Sequence, residues 1–460
     1  MKILRIILLV LLIVVIAAFF WLNANIFPPI SGYGSKNLCS AIYLQHREAS
    51  KVIQEEFSTF PLSLGKFTHD PEDSSTYGSV LGFAGRKTIY RKGCGCTIVN
   101  DITEEELRAQ KFDIPKPEHG DMEQIPWPVG ELTAVSIPAK IDTASLNEAM
   151  DVVMSITKED GVTKSTLASL VIYDGQIIAE RYAEGFDKNT VMLGWSISKS
   201  LIAPMIGVLE YQQLIGIDEP APVPEWKGTE KEVITIRHLL QQTSGLDYTE
   251  IYDKPSSVVR MLFSEGDMAA YTAGLDLIHE PGTVYNYSGG NTNILSRIIR
   301  QKVGEDKYQA FPFEQFFHRI NAYSFILEPD ASGTYVGSSY SYATARDFAR
   351  FGLLLYNNGM WQGERILPEN WVGEATTPVP ADPREHYGYQ LWLNGYSDST
   401  KRSRWYPDVP EDMFIADGYN GQDIFIIPSK KLVVVRLGLE VMDENAFLRD
   451  VIKAVENSLN

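Results

Sequence analysis

The stretch Gly194-Trp195-Ser196-Ile197-Ser198-Lys199-Ser200 runs directly into the apolar Leu201-Ile202-Ala203, and its reading decides how the chain is understood. A serine followed three residues later by a lysine, at the start of a helix, puts both side chains on one face. The hydroxyl then lies at the positive end of the helix dipole, among backbone N–H groups. A serine hydroxyl is a poor nucleophile until a neighbour takes its proton. A partly buried lysine one turn away suits that task, because desolvation favours its neutral form. The stretch therefore reads as an acyl-transfer nucleophile, Ser196, with a proton partner, Lys199; the plainer alternative is an ordinary helix start. Ser63/Lys66 and Ser155/Lys158 share the bare spacing, but Ser63 sits in loop-like sequence between Pro61 and Gly65. Lys158 runs into Glu159-Asp160-Gly161, so neither pair opens an amphipathic helix.

With 460 residues the chain has room for one large domain plus appendages, or for two domains. Forty-one basic against fifty-nine acidic side chains give a net charge of −18, which argues against nucleic-acid binding. Lys2 and Arg5 precede an uncharged apolar run, Ile6 to Leu22. That run predicts an uncleaved signal anchor over residues 1–27, with its N-terminus cytoplasmic and the rest extracytoplasmic. The rival is a signal peptide cleaved after Ala24, where the large Leu22 fits poorly. Cys39, Cys94 and Cys96 are disulfide candidates in an oxidising compartment, with Cys39 pairing to either of the others and one thiol left over. No histidine lies near them at ligand spacing, so neither a metal nor a cofactor is expected.

Phe27-Pro28-Pro29 and Ser31–Gly34 read as a short stalk. Leu38–Leu44 and Lys87–Arg91 read as strands, Glu48–Phe57 as a helix, and Pro115 to Pro128 as a surface linker. Residues 28–135 are thus expected to form an N-terminal extension or subdomain, and 136–460 the main domain. Ser145–Met154 is helical in pattern, and Leu167–Tyr173, Asp174-Gly175 and Gln176–Tyr182 form a β-hairpin. The helix after Ser196 runs towards Gln212 with Pro204 inside it, which predicts a bend near Ser200. Helices are expected at Ile236–Gln242, Asn291–Val303, Ala343–Asn357 and Asp443–Leu459. Strands are expected at Tyr389–Leu393, Met413–Ala416, Asp423–Ile427 and Leu432–Leu437. Strands at both ends with helices between imply one mixed sheet with an inserted helical region, an α/β (α+β) architecture.

Four stretches, in order, carry a resemblance. The first is the Ser196 stretch itself, and the second is Pro281-Gly282-Thr283-Val284-Tyr285-Asn286-Tyr287-Ser288-Gly289. The others are Thr235-Ile236-Arg237-His238-Leu239-Leu240 with Thr243-Ser244-Gly245-Leu246, and Ala343–Gly352. Together they resemble the serine β-lactamase and penicillin-binding-protein superfamily, in its class C branch. The resemblance implies a β-lactamase/transpeptidase-like fold with a central antiparallel sheet. It makes Ser196 the acylated residue, Lys199 its proton partner and Tyr287 the general base and leaving-group acid. His238 and His279 read as structural histidines.

The third motif of that superfamily, Lys-Thr-Gly, is matched here by Ala416-Asp417-Gly418, followed by Tyr419-Asn420-Gly421-Gln422. The resemblance implies an oxyanion hole from the backbone N–H groups of Ser196 and Tyr419, a role that survives the change of side chains. It leaves Trp195, Asp417 and Gly418 as candidate substrate contacts. Ala416 cannot bind the carboxylate that the motif lysine meets in β-lactamases, and Gly289 stands where asparagine often does. The chain is therefore closer to the esterase and 6-aminohexanoate-dimer-hydrolase-like members, which implies hydrolysis of a small ester or linear amide. A β-lactamase or D-Ala-D-Ala peptidase is the alternative enzyme, and a silent cell-wall or protein-binding module the alternative class. Loops 248–280 and 395–412 are expected to shape the pocket. Protein partners are not legible.

Overall fold

The computed structural model describes residues 2–117, 119–134, 136–138, 141–155, 158–159, 162–163 and 166–456. The expected boundary at 135 and the last residues of the helix predicted to Leu459 lie outside them. The chain forms two compact units, one from 1–112, 248–272 and 328–334, the other from 113–247, 273–327 and 335–460. Residues 248–272 and 328–334, which the sequence reading placed in the 136–460 stretch, thus belong to the first unit.

In the first unit, α1 (Lys2–Asn25) is the apolar run, and α2 (Phe27–Tyr43) follows after one residue. The expected stalk at 27–34 and the expected strand at Leu38–Leu44 are both part of this one buried helix. Proline is tolerated in a first helical turn, where its missing N–H has no partner to lose. The glycines then allow close approach. A Cβ at Gly32 would stand 2.6 Å from the carbonyl oxygen of Phe263, and one at Gly34 would overlap the Phe67 ring. Tertiary packing of small residues, not strand propensity, decides this segment. Helix α3 (Ala49–Glu56) precedes an antiparallel meander of β1 (Gly65–Asp70), β2 (Ser75–Val80), β3 (Phe83–Arg91) and β4 (Gly95–Ile98).

Cys39 and Cys96 are bonded, tying α2 to β4, and Cys94 is a buried free thiol. Burial pushes that thiol up to about 12. Beside the disulfide lies a fully buried ion pair, Lys36 with Glu328. Lys36 also donates to Ser40 Oγ at 2.9 Å. Glu328 accepts from the Ser40 hydroxyl at 2.9 Å and from the Cys96 N–H at 2.6 Å. Burial lowers the Lys36 pKa, and the Glu328 carboxylate works against that shift.

The second unit is built on an antiparallel sheet, six-stranded among the described residues. Its members are β5 (Thr166–Tyr173), β6 (Gln176–Tyr182), β7 (Trp392–Leu393), β8 (Phe414–Gly418), β9 (Gln422–Ile427) and β10 (Leu432–Gly438). The order is β7-β8-β9-β10-β5-β6, so strands from the two ends of the unit meet at the β10–β5 pair. The strand expected at Tyr389–Leu393 shrinks to its last two residues, because Gln390 takes a left-handed φ of +55° that a strand cannot hold.

On one face, α4 (Thr143–Met154) and the C-terminal helix Glu444–Glu456 bury Leu146, Met150, Phe447 and Val451 against Val171, Phe425 and Val434. On the other lie α5 (Ile197–Tyr211) and α7 (Ala345–Tyr356), with α6 (Gly289–Val303) packed on α5. Helix α5 is continuous through Pro204.

Candidate active site

Ser196 is the N-cap residue of α5, with φ −70° and ψ −8°, and its side chain makes no capping bond. The Lys199 ammonium donates to Ser196 Oγ at 2.9 Å and to the carbonyl of Ser338 at 3.0 Å. Lys199 is 1% exposed, so this contact is made away from bulk water. The turn before α5 is pinned to the segment Ser341–Ala343. Gly194 N–H donates to the Ser341 carbonyl at 2.8 Å, and the Ser198 and Ser341 hydroxyls lie 2.7 Å apart. Trp195 reaches this turn with a φ of +46°, a left-handed conformation uncommon for a bulky residue.

Tyr287 stands on the other side of Lys199, whose Nζ lies 4.8 Å from the centre of its ring. Trp392 and Tyr387 hold that ring at centroid distances of 5.1 and 5.8 Å. Ser288 follows as the cap of α6, accepting from the Asn291 N–H at 3.1 Å. Tyr285 differs in kind. It is packed on Tyr387 and His386, and burial pushes its phenol well above the ordinary range.

The third motif comes from β8. A Cβ at Gly418 would stand 2.3 Å from the Gly194 carbonyl oxygen, so the strand end and the Ser196 turn touch backbone to backbone. Tyr419 is half exposed, its ring edge-on to Trp195 at 6.0 Å, and Trp195 lies 6.4 Å from the Tyr340 ring. Strand alternation puts Asp417 on the same face as Ile415, across from Asp423 on β9. Burial first, then the charge of Glu444, raises both carboxyls, while Lys199 works against the shift at Asp417 and Arg436 against that at Asp423. The structure thus brings Ser196, Lys199, Tyr287, Trp195, Gly418 and Tyr419 together, and sets Asp417 in a carboxyl pair on the sheet face that carries the C-terminal helix.

Several residues escape sequence reasoning. Gln390 is the main one. Its side-chain carbonyl accepts from Thr292 at 2.8 Å and Gln242 at 3.1 Å, its amide donates to the Leu239 and Leu240 carbonyls, and its own carbonyl accepts from Ser200 at 2.6 Å. One buried residue thus joins the nucleophile helix, helix α6 and the 235–246 landmark. Nothing in a lone glutamine between Tyr389 and Leu391 signals this. Ser338, which takes Lys199, and Trp392, which takes Tyr287, are equally silent. His238 serves its own helix, its Nδ1 lying 3.2 Å from the Thr235 N–H, and His279 is exposed. In the Ala343–Gly352 landmark, Arg346 bridges Glu131 and Glu180, both at 2.6 Å. Among the described residues no cluster of three or more His, Cys, Asp or Glu is arranged to hold a metal ion.

Comparison with known proteins follows the same lines. A family model described as Beta-lactamase matches residues 159–438. The 6-aminohexanoate-dimer hydrolase of Paenarthrobacter ureafaciens is 24% identical over 291 residues, covering 59% of this chain and 72% of that protein. A penicillin-binding protein homologue from Caulobacter crescentus superposes with a TM-score of 0.53 at 14% identity, over 71% of this chain and 99% of that one. A family VIII carboxylesterase does so with a TM-score of 0.53 at 16% identity, over 71% and 99% of the two chains. At such identities the superpositions speak to the fold. The family model reaches further, spanning well over half of the chain and every residue brought together around Ser196: the chain belongs to the Beta-lactamase family.

Proposed function

We propose that the chain is a serine hydrolase that cleaves a small ester or linear amide through an acyl-enzyme on Ser196. The observation that carries this reading is the 2.9 Å contact between the Nζ of a fully buried Lys199 and Ser196 Oγ, beside the Tyr287 ring. Ser196 Oγ attacks the carbonyl carbon while its proton passes to Lys199 in its neutral form. The backbone N–H groups of Ser196 and Tyr419 stabilise the oxyanion. Tyr287 passes a proton to the departing alcohol or amine, then takes one from the water that attacks the acyl-enzyme, and Lys199 returns its proton to Ser196 Oγ as the acid departs. Ala416-Asp417-Gly418 offers no cation for a β-lactam carboxylate, which favours esters and linear amides over antibiotics. The activities for which the Paenarthrobacter relative and the carboxylesterase neighbour are named support the same substrate class.

In this reading α1 is a signal anchor and both units are extracytoplasmic. Its apolar residues are exposed to the surroundings, and the disulfide suits an oxidising compartment.

Intact-mass spectrometry after exposure to p-nitrophenyl butyrate, and separately to penicillin G, tests the proposal. The expected result is an acyl adduct on the Ser196 peptide with the ester only, lost in Ser196→Ala. A persistent penicilloyl adduct would move the assignment to a penicillin-binding role. Absence of any adduct, with no turnover, would leave a binding module.

A further inference from the structure

Sheet β1–β4 in the first unit has two unlike ends. At one end the pairs Gly65↔Val80 and Val80↔Phe83 place Leu64 beside the turn Leu81-Gly82. Leu81 is 68% exposed, and Phe60, in the preceding loop, is 80% exposed. Phe83 and Leu64 are exposed as well. Leu81 holds a φ of +51°, an unusual backbone for a leucine, and places its side chain in solvent. At the other end, past the pair Asp70↔Ser75, the turn carries Asp70, Glu72 and Asp73. Six residues of strand separate the ends by about 20 Å.

The apolar end is fixed to α1. The Phe19 ring stands edge-on to Phe83 at 4.9 Å, and Phe19, Leu22, Leu62 and Ala84 all pack on the same core cluster. Phe20 and Trp21, on the same turn of α1, are themselves exposed, Phe20 at 65%. Exposed Leu64, Leu81 and Phe83 therefore lie at the sheet end that α1 touches through Phe19, with Phe20 and Trp21 exposed on the adjoining turn of α1 and Phe60 exposed in the loop before β1; four of these six are aromatic. A patch of that kind is not left in water without a partner, and aromatic rings are favoured at the level of lipid headgroups.

We propose that Phe20, Trp21, Phe60, Leu64, Leu81 and Phe83 form a collar that enters the headgroup–acyl boundary of a lipid bilayer, so that the first unit rests on the membrane. The occupant follows from continuity, since the patch is the direct extension of the apolar surface of α1. The proposal rests on α1 being inserted, and it goes beyond an anchor. An anchor alone tethers the unit; a collar fixes its tilt and height.

The test uses the full chain in vesicles of phosphatidylcholine and phosphatidylglycerol, with one nitroxide label per variant. Labels go at Leu11→Cys, Phe60→Cys, Leu81→Cys, Phe83→Cys and Glu72→Cys; the buried Cys94 stays unlabelled in folded protein and so checks each variant. Collision with oxygen is compared with collision with a water-soluble nickel chelate. The expected result is a hydrocarbon signal at 11, an aqueous one at 72, and a shift towards oxygen at 60, 81 and 83. Aqueous signals at all three with a hydrocarbon signal at 11 would overturn the collar and leave the anchor. An aqueous signal at 11 as well would overturn both. Low access to both reagents at 81 and 83, with dipolar broadening, would assign the patch to a second copy of the chain and overturn the membrane contact.

Discussion

Gly418 and Gly194 meet without side chains between them: a Cβ on Gly418 would stand 2.3 Å from the Gly194 carbonyl oxygen. The same substitution would meet Gln422 at 3.0 Å. The contact sets the distance between the β8 end and the turn that presents Ser196. Gly418→Ala is expected to push the two apart and lower kcat/KM for p-nitrophenyl butyrate by roughly 100-fold, the scale of a misplacement near 1 Å. Because Gly418 has an ordinary negative φ, the fold should persist, and an unchanged rate would remove the argument.

Lys199 and Tyr287 act on one proton path in the proposed mechanism. Lys199→Met and Tyr287→Phe should each cost about 10²–10⁴-fold in kcat, and the double variant little more than the worse single one. Steady-state kinetics on one ester decides this, because independent contributions would multiply.

Asp417 and Asp423 face each other on paired strands with both carboxyls raised by burial. Their folded pKa values lie above the unfolded value of about 4. The native state therefore holds the extra proton, and the stability it contributes is complete below about pH 4 and lost as pH rises towards the folded value, about 7 for Asp417. Asp423→Asn is expected to flatten that decline and to stabilise the protein by about 1–3 kcal/mol at pH 8, by ending an unpaired buried charge. Melting curves between pH 5 and pH 8 carry the test, and a variant that melts lower at pH 8 would contradict it.

Lys36→Met leaves the Glu328 carboxylate buried without its cation. A loss of about 3–5 kcal/mol is expected, and Lys36→Met with Glu328→Met should recover most of it. Cys94 offers the readout, since its buried thiol reacts with a disulfide reagent only when the first unit opens.

Much of the second unit was legible because its signals are local. The hairpin about Asp174-Gly175, the amphipathic α6 and α7, and Ser-x-x-Lys at a helix start each announce themselves in a few residues. The first unit was not. Pro28-Pro29 and two nearby glycines imitate a stalk, and only the Phe67 ring and the 263 backbone, distant in sequence, explain why small residues line α2. Gln390 fails for the same reason. Its five partners come from three separate stretches, and no pattern around it encodes them.

The carboxylate that neutralises Lys36 lies 292 positions further along the chain. A polypeptide emerging N-terminus first passes most of its length before that carboxylate exists to be met. Until then helix α2 carries a cation with no place to bury it, and the disulfide partners lie beside an unfinished pocket. The earliest segment of the first unit therefore stays open until a late one arrives, and its assembly waits until the chain has been made as far as Glu328, with much of the second unit already behind it.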